Sequence, residues 1–346
     1  MIRRPRTIGL AAGVAVLALY VVLPSGQRSL LPIAIALGAL AVFGWRGFPR
    51  TFRGGIWPVA FVILLLGVVP ALFSIVVSFF DVSSANLMNG GWRFIGLERF
   101  ARVTASPDER AILLRTLLFG AACVLAQFAI GVPWGVAIAR KPRLNWVDGL
   151  LVLPIVMPPI ITALGWRAAF DDSFGIVRKL LLALGLDPPT WLALGSRASA
   201  GVEVLLPQAM IPSIAAETWQ WAPFVALFTA LSLRQIPANL RGWAGTAARS
   251  RWRTFRVVEL PLIAPSLVLI AFLRLLDSLK SFESIWVPFG NGVLTATESI
   301  RIATHALEIR DYSTAAALST IMLAFIAFTL AVVGPSLVAR RRPLGG

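Results

Sequence analysis

Long apolar runs alternate with short polar clusters eight times along the chain, at about residues 7–23, 30–45, 56–80, 111–139, 150–170, 204–233, 260–279 and 312–339. An apolar run of about 17–25 residues crosses a bilayer as a helix. The pattern therefore predicts an all-α polytopic membrane protein with about eight transmembrane helices, the first two runs being the shortest. Met-Ile-Arg-Arg-Pro-Arg followed by apolar residues has the layout of a signal peptide. After Leu23, however, the sequence Pro-Ser-Gly-Gln-Arg-Ser contains no small-x-small cleavage site, so a retained anchor is expected.

The polar clusters orient the runs, because cytoplasmic loops concentrate Lys and Arg. With the N-terminus inside, the inner segments hold 18 basic residues in 58 positions and the outer ones 11 in 101. Both termini are then cytoplasmic. The longest inner connector, residues 234–259, carries six arginines and one acid, Glu259. It is too long for a simple turn. Pro237 and Pro261 bracket it, each a place where one helix can end or another begin, and its alanine- and glycine-rich centre predicts a short helix that another protein can approach closely. The outer segment 171–203 has leucines at helical spacing before Pro188 and Pro189, and predicts a short helix on the outer face.

Composition agrees with a membrane protein: 58% of the 346 residues are hydrophobic and 14% charged, against roughly 25% charged in soluble domains, and the mean hydropathy is +0.80. The net charge of +16 does not point to nucleic acid, since the arginines form no single patch interleaved with aromatics. Cys123 is the one cysteine and His305 the one histidine. No intrachain disulfide or thiol-built metal cluster can form. The phosphate-cradling loop G-x-x-x-x-G-K-[ST], H-E-x-x-H and G-x-S-x-G are all missing. Transport driven by ATP would need a partner chain to bind the nucleotide and its Mg. The alternative is an ion-gradient-driven secondary transporter acting alone, with Glu217 and Asp277 as ion sites; the lack of a visible inverted repeat weighs against it.

Several stretches occur together in a fixed order: Arg-Phe-Ile-Gly-Leu-Glu-Arg-Phe at 93–100, Leu-Pro-Ile-Val-Met-Pro-Pro-Ile-Ile-Thr at 153–162, Thr-Trp-Gln-Trp-Ala-Pro-Phe-Val at 218–225, Ser-Arg-Trp-Arg-Thr-Phe-Arg-Val-Val-Glu-Leu-Pro-Leu-Ile-Ala-Pro at 250–265, Ser-Phe-Glu-Ser-Ile-Trp-Val-Pro-Phe-Gly-Asn-Gly at 281–292, and Asp-Tyr-Ser-Thr-Ala-Ala-Ala-Leu-Ser at 311–319. In these the chain resembles a permease subunit of the binding-protein-dependent ABC importers, in the branch of the maltose, trehalose and glycerol-3-phosphate systems. The resemblance covers about residues 56–339. It implies an ABC type I importer transmembrane domain over 56–346, preceded by an extra helix pair over 1–55, in the bacterial inner membrane. It also implies a heteromeric complex with a second permease, an ATP-binding subunit dimer and an extracytoplasmic solute-binding protein, importing a sugar, polyol or related solute. The family's cytoplasmic coupling signature, Glu-Ala-Ala-x-x-x-Gly, falls on Gly242, Trp243, Ala244 and Ala248, so its glutamate is missing. The family's Gly-Gly-Gly-Pro turn is reduced to Gly290, Asn291, Gly292 and Val293.

An ionisable side chain in hydrocarbon is costly unless it faces a cavity or a partner, which singles out two sets of positions. Glu217, Gln220, Trp221 and Phe224 follow the i, i+3, i+4, i+7 spacing of one helix face, and Arg274, Ser278 and Ser281 follow it on the next long run. The resemblance implies that both faces contact sugar, and their carboxylate, amide, hydroxyl and ring groups suit a polyhydroxylated ligand. The structural alternative pairs Arg274 with Asp277, and Asp277 with Lys280, three residues apart. Glu217 is a further candidate counter-ion for Arg274. Arg115 and Arg167 lie near outer ends of their runs and are expected to snorkel.

Overall fold

The computed structural model describes residues 67–141, 149–192, 208–237, 250–292 and 295–339. The first two apolar runs lie outside these residues, as do the boundary expected at 55/56 and the coupling positions Gly242, Trp243, Ala244 and Ala248. The chain divides into two compact units, one of residues up to Ala105 with Ile302–Met322, the other of Ser106–Arg301 with Leu323–Gly346.

In the first unit, helix α1 (Val69–Val77) starts with proline at its first turn, where the missing N–H costs nothing. It leads to a small hairpin of β1 (Phe80–Asp81) and β2 (Arg93–Phe94), antiparallel with Phe80 opposite Phe94 and Asp81 opposite Arg93. Helix α2 (Glu98–Ala105) follows. Arg99 reaches Asp81 at 3.0 Å and Asp311 at 3.4 Å. Asp311 also accepts bonds from the Thr314 N–H and hydroxyl, which satisfies an otherwise orphaned donor at the start of the last helix. Ser313 completes the knot: its hydroxyl accepts from the Val82 N–H at 2.6 Å and donates to the Phe80 carbonyl at 2.5 Å. Beneath these bonds Val77, Val82 and Ala316 form a small core with Phe73, Phe80, Trp92 and Tyr312.

The second unit is built on α3 (Pro107–Ala139). Its start carries three helix-initiating features: Ser106 accepts from the Glu109 N–H, Pro107 fills the first turn, and Asp108 and Glu109 face the positive end of the dipole. At about 1.5 Å per residue, its 33 residues are ample to cross a bilayer. It packs along α7 (Ile211–Arg234), and the contact is backbone-close. A Cβ on Gly135 would stand 2.4 Å from the Ala226 carbonyl oxygen and 2.6 Å from Thr229 Cβ, and one on Gly131 2.7 Å from Val225 Cβ. Small residues one turn apart are what lets two apolar helices approach like this.

The run at 150–170, expected to span as one helix, is broken. A 3₁₀ turn (Leu150–Val152) and α4 (Leu153–Val156) end at Met157, and α5 (Pro159–Ala169) begins afresh. Tandem Pro158 and Pro159 cause this, because a residue before proline is pushed out of the helical region, and Met157 and Pro158 sit at ψ 135° and 133°. The short helix expected within 171–203 is α6 (Ile176–Ala183). Pro261 does not open a helix. α8 (Arg251–Thr254) runs through a wide π turn (Phe255–Glu259) into α9 (Leu260–Ser278), so helical structure starts ten residues earlier, at Arg251. α10 (Glu283–Phe289), α11 (Glu298–Ala303) with a π turn (Thr304–Ile309), and α12 (Tyr312–Ala339) complete the described chain.

Among the described residues, three helical stretches are long and apolar enough to cross a membrane: Pro107–Ala139, Trp252–Phe289 and Tyr312–Val332. α7 is also long enough, with 24 residues. Like α3 and α9 it buries polar side chains, here Glu217, Thr218, Gln220 and Thr229.

Candidate functional site

α7 carries Glu217, Gln220, Trp221 and Phe224, and α9 with the turn after it carries Arg274, Ser278 and Ser281. The two elements bring most of these side chains together. Arg274, only 3% exposed, lies with its guanidinium 4.1 Å from the centre of the Trp221 ring, a cation–π distance. Its Nη2 is 3.6 Å from Glu217 Oε2, and its Nη1 donates to Asp277 Oδ2 at 2.5 Å. The other oxygen of Glu217, Oε1, accepts from the Ser281 hydroxyl at 2.6 Å. Both pairings weighed for Arg274, with Asp277 and with Glu217, are therefore present. An isolated guanidinium buried in an apolar bundle would cost several kcal/mol; two carboxylates and an indole face offset that cost here.

A third helix completes the arrangement. Gln127 of α3, fully buried, accepts from Arg274 Nε at 3.0 Å and donates from Nε2 to the Glu217 carbonyl at 3.4 Å. Sequence reasoning missed Gln127, although an amide in the middle of a long apolar run is the same signal that singled out Gln220.

The remaining candidates lie at the edges of this cluster. Gln220 donates to the Met157 carbonyl at 2.9 Å, an acceptor set free by the break between α4 and α5. Phe224 stands edge-on to Trp221 at 6.0 Å and packs on Phe228 at 4.5 Å, so three rings line one side. Ser278 is 1% exposed, and its hydroxyl has no hydrogen-bond partner among the described residues. Lys280 is 4.0 Å from Asp277 with both side chains about half exposed, a pair worth little. Ser213 donates to the Ser284 carbonyl at 2.6 Å and pins α7 to α10. Among the described residues no group of three His, Cys, Asp or Glu could hold a metal ion.

A second polar cluster lies where α11 meets the start of α3, and the sequence reading did not anticipate it. Arg115 was expected to snorkel; instead it is 4% exposed and donates to the Ala296 carbonyl at 3.0 Å. The 295–298 segment folds onto α3 and supplies that acceptor. Arg167, itself exposed, donates to the Val287 carbonyl at 3.1 Å. The Glu298 N–H donates to Thr116 Oγ1 at 2.9 Å, and Arg301 pairs with Glu109. Burial, and secondarily the Glu109 carboxylate, pushes the Glu298 carboxyl up to about 7, partly opposed by Arg301.

A bundle of apolar helices enclosing a paired guanidinium, an amide network and a row of rings suits a membrane transport subunit. The comparisons narrow the class: the chain belongs to the family described as binding-protein-dependent transport system inner membrane component, which matches residues 131–341. It is 27% identical over 240 residues to the trehalose/maltose transport system permease protein MalF of Thermococcus litoralis, covering 68% of this chain and 78% of that protein. With the diacetylchitobiose uptake system permease protein DasB of Streptomyces coelicolor it shares 25% identity over 279 residues, 78% and 82% of the two chains. Its fold is similar to that of a chain of a bacterial ABC transporter that imports the acidic polysaccharide alginate, with a TM-score of 0.65 at 19% identity over 83% of this chain and 94% of that one. The same holds for a chain of the bacterial alginate ABC transporter in complex with an alginate pentasaccharide-bound periplasmic protein, with a TM-score of 0.61 at 18% identity over 79% and 90%. The protein is thus a multi-pass inner-membrane permease of ABC type I architecture, a transport subunit for which a separate subunit hydrolyses ATP. The family assignment decides between the two readings of the sequence, in favour of the importer and against the lone secondary transporter.

Proposed function

We propose that this chain is one of two permease subunits in an ATP-driven importer of a sugar, polyol or related solute, delivered by an extracytoplasmic binding protein. A dimer of ATP-binding subunits, holding the ATP and Mg, docks on the connector 234–259 through Gly242, Trp243, Ala244 and Ala248. Both termini face the cytoplasm, where the basic residues concentrate. Nucleotide-driven closure of the ATPases moves the connector, and the bundle alternates between outward and inward openings. The solute is held by Glu217, Gln220, Trp221, Phe224, Arg274, Ser278 and Ser281.

The observation that carries this reading is the buried Arg274 set over Trp221 between Glu217 and Asp277. Ring faces for C–H surfaces beside charged and hydroxyl groups for O–H groups are what saccharide recognition requires. The trehalose/maltose and diacetylchitobiose systems named for the relatives point to the same class of solute.

The test is reconstitution. Uptake into proteoliposomes should need ATP, the ATPase subunits and the binding protein together. Ala244→Arg, which places a long cation among small side chains, should reduce recovery of the ATPase subunit in pull-downs while leaving membrane insertion unchanged. Uptake that proceeds without ATP or partners would sink the reading, and unchanged ATPase recovery would remove the docking role.

A further inference from the structure

Helical structure runs from Arg251 through the π turn into α9, so the residues ahead of the apolar run sit at the end of a membrane-spanning stretch. Ser250 fixes the start, its hydroxyl accepting from the Arg253 N–H at 3.2 Å. Phe255 is buried and holds the Trp252 ring, 5.8 Å away, at the surface, where Trp252 is 69% exposed. Arg253 and Arg256 are exposed as well, and neither meets a carboxylate among the described residues. Glu259, the acid of this stretch, is 4.0 Å from Arg140 instead. Cations near a helix start face the positive end of its dipole, so the helix itself offers the two arginines nothing. An anion supplied from outside would offset both.

The same helix shows what kind of anion fits. Just past the arginines its exposed side turns apolar, with Val257 at 64%, Leu262 at 48% and Val268 at 44%. From Val257 to Val268 is about 16 Å at the helical rise, close to half of the roughly 30 Å hydrocarbon core of a bilayer. An indole and two cations at the head of an apolar stripe one leaflet deep match a lipid in both of its parts.

We propose that this end of α9 binds an anionic phospholipid, its phosphate held by Arg253 and Arg256, its glycerol region at the Trp252 indole and an acyl chain along Val257, Leu262 and Val268. The two arginines are three residues apart, the spacing of neighbours on a helix surface. A free phosphate satisfies the arginines and leaves the stripe unmatched, and so does an acidic segment of a soluble partner. A zwitterionic lipid covers the stripe but brings its own cation against the arginines. The inference is independent of the imported solute and of the docking positions; it needs only that α9 spans the bilayer.

The experiment uses the purified complex of both permeases and the ATPase subunits, stripped of lipid in detergent. It is titrated with dioleoyl phosphatidylglycerol, with dioleoyl phosphatidylcholine of the same chains, and with glycerol phosphate as the headgroup alone, and bound lipid is counted by native mass spectrometry. Phosphatidylglycerol should bind about tenfold or more tighter than phosphatidylcholine, the scale expected for two arginines at an anionic headgroup. A large excess of glycerol phosphate should not displace it. Arg253→Gln with Arg256→Gln should bring the preference to about threefold or less. Should that double variant fail to assemble, either single change is expected to lower the preference about threefold. Equal binding of the two lipids overturns the proposal, as does a preference unchanged in the variants, which would put the anionic lipid elsewhere on the complex. Displacement by glycerol phosphate also overturns it, since the site would then read a phosphate without its lipid.

Discussion

Arg274 is the side chain at which three helices meet, since its own α9 is joined through it to Gln127 of α3 and to Glu217 and Trp221 of α7. The guanidinium cannot lose its proton in a protein, so each of its neighbours exists to hold a permanent charge inside an apolar bundle. Gln127 is the neighbour with the least freedom, fully buried and bonded at both ends of its amide. Gln127→Leu keeps the volume but leaves Arg274 Nε without an acceptor. The expected cost is about 1–3 kcal/mol of stability, read as a lower melting temperature of the detergent-solubilised protein. Saccharide binding should weaken in the same variant, because the guanidinium is no longer fixed over Trp221. An unchanged melting curve would mean that Gln127 is a spectator. The charged and aromatic members of this cluster were legible in the sequence because residues at i, i+3, i+4 and i+7 share a helix face whatever the helix packs against. Which of them touch was not legible, because the partner of Arg274 depends on the rotation of α7 against α9, and spacing within one run says nothing about that.

At the scale of elements, apolar run length located helices well where the run was uninterrupted. The run at 312–339 corresponds to α12 at both ends, and that at 260–279 to α9 within one residue. It failed at 150–170, where hydropathy continues through Met157 but backbone geometry does not, and it did not detect that α9 is preceded by helix from Arg251. Proline explains both differences: Pro158 and Pro159 in tandem leave no helical conformation for Met157, whereas Pro261 enters a helix through a π turn in which its absent N–H is tolerated. The close packing of α3 on α7 left a readable trace, Gly131 and Gly135 four residues apart, that hydropathy counting passes over because glycine scores as neither polar nor strongly apolar. The geometry makes a definite prediction for it. Gly135→Ala puts a methyl group 2.4 Å from the backbone oxygen of Ala226, which cannot move out of the way as a side-chain tip can. The helices must separate, at a cost of about 1–3 kcal/mol. Because the bond from Gln127 to the Glu217 carbonyl spans this same pair, saccharide binding should fall along with the melting temperature. Gly149→Ala, where a Cβ meets nothing within 4 Å, is the control and should change neither. Equal melting temperatures for the two variants would refute the close contact.

For the molecule as a whole, the cluster at the start of α3 ties stability to pH. Glu298 lies outside the membrane-spanning helices. Its carboxyl is raised from 4.5 to about 7, chiefly by burial and then by Glu109, with Arg301 opposing. A carboxyl with a raised folded-state value is held more tightly in its protonated form by the native protein than by the unfolded chain. Its contribution is therefore fully present below about 4.5 and is lost as pH rises to about 7, above which this group adds no further slope. The full span amounts to about 3 kcal/mol, at 1.36 kcal/mol per unit, and relaxation of the surrounding residues will make the observed value smaller. Glu298→Gln keeps the shape and removes the titration. Melting temperatures of the wild type and the variant, measured from pH 4 to pH 9, should nearly coincide at the acid end and separate as pH rises, with the variant the more stable above pH 7. The groups facing Glu298 set the companion result. Glu109→Gln, which removes the second cause of the shift, should move the midpoint of that separation toward lower pH, provided that Arg301, left without its partner, stays beside Glu298. Parallel melting curves for wild type and Glu298→Gln across this range would show that the carboxyl is solvated, and that the fold of 295–298 onto α3 is looser than the buried Arg115 and Thr116 contacts indicate.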